Sequence, residues 1–431
     1  MSFPTYPAYK DSGVEWLGDV PEHWYSARFS RVVMAIKDGT HGTFERVDEG
    51  VPLLSAKNVQ NGFLDINEGE SLISEDDSRS IVSNGFPSAG DLLLTIVGTI
   101  GRSCVYTADK PYAFQRSVCF LRFYKRYSSY FFYYFSQSKF FQEQLAGRSK
   151  SSAQAGVYMG DVVATSVVFP PDFSEQTQIA RFLDHETARI DALIEEQQRL
   201  IELLKEKRRG IVLSALSDTS LPLVRIGHAV DVISRPVKQR EDESYTPIGL
   251  FNRDRGLFHK EPREMQDMGD SDFFWIKSGD LIISGQFAWE GAVAMAGESE
   301  EGLVVSHRYP VLRGKHGVAN TEYLYAILTT KHGDFLLNES SRGAAGRNRP
   351  LNLAALLKEK IRIPSKEIQE QVSNLVQNEA KVLTECRQQI SLLQERRSAL
   401  ISAAVTGKID VRGWQPPAST QAPKLEVVEA N

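Results

Sequence analysis

Cysteine is nearly missing from this chain: Cys104, Cys119 and Cys386 are the three among 431 residues. They form no Cys-x-x-Cys pair and stand at no ligand spacing from a histidine, which argues against a disulfide framework or a zinc ribbon and for buried, reduced thiols. Long apolar runs are missing as well, since no stretch reaches the roughly eighteen residues of a membrane helix, and the start MSFPTYPAYKDSG lacks the basic-then-apolar order of an export signal. A cytoplasmic location and no membrane partner are expected. Excess charge of one sign is absent, with a net charge of −5, so any nucleic acid must be met by local basic surfaces rather than by a whole-molecule field. The familiar catalytic strings are absent too: no GxxxxGK(S/T) phosphate loop, no GxGxxG after a strand, no HExxH and no GxSxG. A base methyltransferase is expected to carry Asn or Asp before Pro-Pro-Tyr/Phe, whereas Phe169-Pro170-Pro171-Asp172 has Phe in front and Asp behind. That string reads as the stop before a helix, with Asp172 or Ser174 as its N-cap.

What is present is a sequence written twice, on an ordinary globular composition of 42% hydrophobic and 10% aromatic residues. Pro171 matches Pro364, and Gln178-Ile179 matches Gln371-Val372 at the same offset; Leu203-Leu204 matches Leu392-Leu393 at an offset four residues shorter. Four residues is about one helical turn, so the later copy loses a turn and keeps nearly the same face inward. Gly90-Asp91-Leu92-Leu93-Leu94 is echoed by Gly279-Asp280-Leu281-Ile282-Ile283, so the repeated unit is a whole domain followed by a long helix. Arg31 to Lys37, Val51 to Ala56, Asp91 to Val97, Ser103 to Thr107 and Val118 to Phe123 read as short strands. Tyr127 to Ala146 reads as one buried helix, with Glu322 to Leu337 in the same place in the second half.

The long helices carry apolar stripes. Leu183, Ile190, Leu193, Leu200 and Leu204 on the first, and Val376, Leu383, Ile390, Leu393 and Leu400 on the second, are the expected contacts between the two helices or with a partner. Connectivity favours antiparallel packing, because a parallel pair forces the second domain to bridge their full length. The fold class expected is α+β: two mixed α/β domains on a spacer of two long antiparallel coiled-coil helices, with pseudo-twofold internal repetition. The boundaries are 1–168 and 221–362 for the domains, 169–220 and 363–413 for the helices, and a disordered tail over 414–431. The basic run Lys205 to Arg209 reads as a solvated face that complements the helix dipole, with contact to a DNA backbone as the alternative.

Four sets of polar residues are candidates for nucleic-acid contact. Lys37, Asp38, Thr40 and His41, with Lys57 and Asn58 close behind in sequence, supply donors and acceptors on a loop bent by two glycines. A polar turn held by an Asx-type bond explains the same residues. Arg148, Lys150 and Gln154 lie in a Gly/Ser loop before the first long helix, and Arg342, Arg347, Asn348 and Arg349 occupy the matching place before the second. Small residues let a backbone approach phosphate and the cations neutralise it, although a single loop of this kind is often only a linker. Gln115-Arg116 and His307-Arg308 correspond, each entering an apolar run that ends in Arg122 or Arg313; these side chains suit guanine or adenine edges, or else tie a strand end to a carboxylate. Gln286, in the Gly-rich turn after the second GDL strand, joins them.

The chain resembles the specificity (S) subunits of type I restriction-modification systems. The resemblance rests on Tyr9-Lys10-Asp11-Ser12-Gly13-Val14-Glu15-Trp16-Leu17-Gly18, Pro21-Glu22-His23-Trp24, the DGTHGT loop, the two GDL strands, the Pro-to-Glu-Gln helix start and the closing VTGKIDVRG from Val405 to Gly413. It implies two target-recognition domains, each reading half of a bipartite, asymmetric site on double-stranded DNA. It also implies that the helices dock two methyltransferase (M) subunits and that restriction (R) subunits join them. S-adenosylmethionine, ATP and magnesium belong to those partners, so this chain is expected to hold no cofactor, no metal and no catalytic residue. One departure stands out: the second helix begins Glu367-Ile368-Gln369, where the family pattern has Glu-Gln, which puts its first turn in question. The rival readings are a coiled-coil adaptor that binds only protein and a self-sufficient DNA methyltransferase or nuclease.

Overall fold

The computed structural model describes residues 3–149, 155–238, 244–264, 267, 271–341 and 349–416. The chain divides into two compact units, residues 1–195 with 390–431 and residues 196–389. Lys150, Gln154, Arg342, Arg347 and Asn348 lie outside the described residues, as does the end of the expected tail from 417 onward.

The first unit is built on a sheet of β1 (Val33–Asp38), β2 (Leu92–Thr95), β3 (Ser103–Val105) and β4 (Val118–Phe123), ordered β1-β4-β2-β3 and antiparallel throughout. The second uses β5 (Val230–Ile233), β6 (Leu281–Ile283), β7 (Val293–Met295) and β8 (Val311–Gly314) in the same permutation, β5-β8-β6-β7. The strands alternate their side chains between two cores, as a period of two requires. Leu92 and Leu94 enter one cluster while Leu93 enters another, and Leu281 and Ile283 separate from Ile282 in the same way. Each central sheet is therefore buried on both faces, by helices on one side and by a smaller, irregular β layer on the other. All five β-prone runs of the first half contain a strand.

The helical face differs from expectation. Instead of one helix over Tyr127 to Ala146 there are two, α1 (Ser129–Gln137) and α2 (Lys139–Arg148). Ser138 causes the break: its hydroxyl donates to Phe135 O and accepts from Phe141 N, ending one helix and capping the next. The second unit, after its own long-helix segment, repeats the device with α4 (Thr321–Leu328), α5 (Lys331–Glu339) and Thr330, which donates to Ile327 O and accepts from Gly333 N. Between them in the chain runs α3 (Phe173–Ser217), 45 residues, and near the end α6 (Lys366–Val405), 40 residues.

Both long helices start the same way. Gln176, fully buried, accepts from Ser128 N at 2.8 Å and donates to Pro170 O at 2.8 Å. Gln369 accepts from Asn320 N at 2.8 Å and donates to Pro364 O at 3.1 Å. The first turn of the second helix is thus secured by a glutamine at the matching position. What changes is the preceding residue: Glu175 accepts from Tyr6 Oη, His23 Nε2 and Trp24 Nε1, whereas Ile368 stands in its place. In the first unit Glu175 therefore pins the segment that carries Pro21-Glu22-His23-Trp24. The closing segment joins it, with Asp410 N donating to Pro4 O and Lys408 Nζ to Asp19 O.

Within each unit the long-helix segments run antiparallel. In the first, Gln178 reaches Trp414 O at 2.6 Å while Asp191 meets Arg397 at 2.9 Å. In the second, Arg208 meets Glu379 at 3.3 Å, and Val212, one turn on, shares a core with Val372 and Val376. Of the stripe residues, Leu183, Ile190, Val376 and Leu400 are buried, and Leu204, Leu383, Ile390 and Leu393 are half-buried. Leu193 and Leu200 are exposed, at 40% and 41%, which corrects their placement in the helix-to-helix contact. Ile194 takes the inward position beside Leu193 and packs on the first core.

Arg208 overturns the solvated reading of Lys205 to Arg209. Its side chain is 1% exposed and pairs with Asp254 at 2.8 Å as well as Glu379, over the ring of Tyr325. Among the described residues no helix is long and apolar enough to cross a membrane, and no cluster of three or more His, Cys, Asp or Glu is placed to hold a metal. All three cysteines are free and buried, and burial pushes the Cys104 thiol up to about 12.

Candidate nucleic-acid interface

The loop after β1 and the turn before β4 are strapped together. Thr40 N donates to Phe114 O at 2.7 Å, Arg116 N donates to Thr40 O at 3.0 Å, and Thr40 pairs with Gln115 as an isolated parallel bridge. Gly39 is required by this approach, because a Cβ there comes within 2.3 Å of Gln115 O and Phe114 O. Lys37, Asp38, Thr40, His41, Gln115 and Arg116 are thereby gathered into one polar patch at the end of the sheet. Within it His41 Nε2 meets Asp38 Oδ2 at 2.7 Å, while Lys37 and Arg116 are exposed.

Lys57 and Asn58 fare differently. Lys57 pairs with the buried Glu70 at 2.8 Å from an otherwise exposed position. Asn58 is 1% exposed; its amide donates to Glu70 Oε1 and Asp65 O, and its oxygen accepts from Ser55 N. A side chain that is buried and has both amide hydrogens committed inside the core cannot donate to a base edge, so Asn58 is corrected to a structural residue. Arg148, the last residue of α2, is half-buried and bonds Gln144 O.

The second unit gathers its candidates by the same device. Gly285, just past β6, donates to Arg308 O at 2.7 Å, and a Cβ there comes within 2.4 Å of that oxygen. Gln286, His307 and Arg308 are consequently neighbours, all exposed. Arg349 instead folds back on its own domain, bonding Ser341 O and Asn338 Oδ1 with its guanidinium over the ring of Trp289.

The arginines that close the two matching apolar runs hold the sheets rather than facing outward. Arg122 makes a two-pronged contact with the buried Asp91, Nε to Oδ1 at 2.8 Å and Nη2 to Oδ2 at 2.7 Å. Asp280 receives Arg313 at 2.5 Å and, in addition, Arg235 at 2.6 Å. Burial alone raises the pKa of Asp280, but bonds from Arg235, the Lys277 amide and Arg313 outweigh it and hold the carboxyl below its usual range. The GDL signature is thus a left-handed glycine, at φ 88° and 83°, followed by the aspartate that receives the arginine. What sequence reasoning missed is a second set of cations beside Arg308, Lys260 and Arg263, which share a groove of about 230 Å³ with it. They lie on a short-strand segment with no motif to mark them.

Residues 45–203 match the family described as type I restriction modification DNA specificity domain. The type I restriction enzyme StySPI specificity subunit of Salmonella potsdam is 25% identical over 232 residues, 49% of this chain and 47% of that protein. The chain thus matches about half the length of this curated relative. Among solved structures, the type I restriction-modification S subunit from M. genitalium aligns with a TM-score of 0.48 at 15% identity, over 89% of this chain and 96% of that one. The HsdS subunit from Thermoanaerobacter tengcongensis aligns with a TM-score of 0.42 at 14% identity, over 90% and 98%. Both the matched family and the curated relative are described by specificity rather than by a catalytic step. Residues 45–203 are thus similar to a type I restriction modification DNA specificity domain, and 49% of the chain is similar to a type I restriction enzyme specificity subunit.

Proposed function

We propose that this chain is the non-catalytic DNA-specificity subunit of a type I restriction-modification complex, reading a bipartite, asymmetric target with its two units. One observation carries the reading: two domains of the same sheet topology present different side chains from the same turn, Gln115-Arg116-Ser117 in one and His307-Arg308-Tyr309 in the other. Equal scaffolds with unequal tips suit two unlike half-sites on one duplex. The long helices act as spacer and as dock for M subunits, with R subunits joining the assembly. Exposed leucines on those helices, Leu193, Leu200, Leu203 and Leu392, offer the apolar surface such docking needs. S-adenosylmethionine, ATP and magnesium belong to the partners in this scheme, and the assembly works in the cytoplasm.

Methylome sequencing of cells carrying this chain with its cognate M subunit tests the proposal. The expected result is adenine methylation in a motif of two short specified halves separated by an unspecified spacer. A continuous motif, or methylation that ignores this chain, rejects it. A protein-only adaptor is separated by DNA binding whose affinity falls steeply with salt.

A further inference from the structure

We infer that the groove formed by Lys260, Arg263 and Arg308 in the second unit seats a phosphodiester of the DNA backbone, and that Arg308 acts as an anchor rather than as a base reader. The inference rests on the DNA-binding reading above and deepens it.

The groove of about 230 Å³ is lined by these three cations together with Ser306, Phe273 and Tyr309, among others, and by no aspartate or glutamate among the described residues. All three cations are exposed at its wall, and none has a carboxylate partner among the described residues. That sets them apart from Arg208, Arg235 and Arg313 of the same unit, each of which is paired with a carboxylate. Three like charges around one concavity repel each other, and a concave, low-dielectric wall concentrates their field. An anion relieves that repulsion. The whole chain carries a net charge of −5, so this is a local concentration and not a sample of a basic surface.

The chemistry selects phosphate over a base edge. A recessed site with cations on several sides and a hydroxyl at its wall surrounds a compact, delocalised anion, while reading guanine in the major groove needs one arginine projecting beyond its surroundings. The half-buried rings of Phe273 and Tyr309 give the adjoining sugar an apolar wall. Arg308 is fixed from behind through its carbonyl, which accepts from Gly285 N at 2.7 Å.

The test uses the full-length chain carrying Lys260→Gln, Arg263→Gln and Arg308→Gln together. Binding is read by fluorescence anisotropy on two duplexes, one containing the methylated motif and one scrambled, across a salt series. Each lost phosphate contact removes about 0.9 from the slope of log affinity against log salt, so the triple variant, which empties a groove holding one phosphate, is expected to lose about 0.9 of slope. The loss should be equal on both duplexes, with the methylated motif unchanged and the melting temperature held. An unaltered slope overturns the inference. So does a loss confined to the specific duplex, which makes these residues base readers. If the unaltered chain binds neither duplex in a salt-dependent way, the DNA-binding reading itself falls and the groove assignment goes with it. Arg308→Lys controls for charge: as an anchor it retains the slope and the motif, whereas relaxed specificity at one base pair exposes a reader.

Discussion

Arg208 Nη2 lies 2.8 Å from Asp254 Oδ2, joining the C-terminal part of a 45-residue helix to a loop whose backbone is left-handed at Arg253 and Asp254, with φ of 59° and 52°. Two non-glycine residues in that region are costly, and the contacts around them, Arg253 N to Glu290 O, Asp254 N to Gly291 O and Tyr325 Oη to Asp254 Oδ1, hold them there. Replacing Arg208 with alanine strips Asp254 and Glu379 of their common counter-charge inside the core. The expected cost is roughly 3–5 kcal/mol, read by urea unfolding. Arg209→Ala, next door but half-buried, should cost less than about 1 kcal/mol. Equal effects at the two positions would show that the buried network contributes nothing.

Asp280 sets an acid limit on the second unit. Its pKa is lowered in the fold, so the unfolded chain takes up the proton first as pH drops. The stabilisation is fully present above the usual aspartate range and is lost as pH falls through the folded value. Unfolding free energies measured from neutrality into the acid range should therefore decline for the parent protein. Asp280→Asn should start lower at neutral pH, having left Arg235 and Arg313 without their carboxylate, and show a shallower acid limb. Parallel limbs for the two proteins would remove Asp280 as the titrating group.

Arg116 and Arg122 stand six residues apart in one segment and are expected to fail in different ways. Arg122→Ala leaves the buried Asp91 carboxylate unpaired and should cost roughly 2–3 kcal/mol of stability. Arg116→Ala removes an exposed side chain beside the strapped loop and should leave stability within about 0.5 kcal/mol. Its effect belongs in the methylated motif, as relaxation at one position of a single half-site. Thermal unfolding and methylome sequencing of both variants give the comparison; a stability loss at Arg116 with an unchanged motif contradicts its placement in the reading patch.

These contrasts mark where the sequence was legible. The central strands were readable because apolar, β-prone residues are contiguous between turn residues, and the doubled GDL string located the same strand in both sheets. The duplicated helix start was readable through Pro171 and Pro364, yet weight placed on Glu175 obscured Gln176 and Gln369, which make the shared bonds. Arg208 was illegible for a physical reason: a cation in a charged run is buried only if partners arrive from elsewhere, and Asp254 and Glu379 are distant in sequence. Asn58 misled in the same way, since the Glu70 that claims its amide follows only after an irregular loop. The break at Ser138 hinged on one hydroxyl within an otherwise continuous aromatic pattern.

The spacing role of the long helices leads to the last prediction. The two copies already differ by one turn, because the offset that aligns Gln178 with Gln371 is four residues longer than the one that aligns Leu203 with Leu392. An added turn is therefore a change this sequence tolerates, with four residues overshooting a full turn by only about 40°. Inserting four helix-forming residues at the exposed Glu195-Glu196 step of α3, and four at the exposed Gln388-Gln389 step of α6, lengthens both antiparallel segments in concert. Each insertion adds about 6 Å, which corresponds to roughly two base pairs at 3.4 Å each. If the helices space the two readers, the methylated motif should keep both specified halves and gain about two unspecified base pairs between them. Inserting in α3 alone should instead leave the pairing of Asp191 with Arg397 and that of Arg208 with Glu379 out of register with each other, so that one of them is lost, lowering stability rather than resetting the spacer. A doubly extended chain that is folded and active but methylates the original spacer would show that something other than these helices sets the distance.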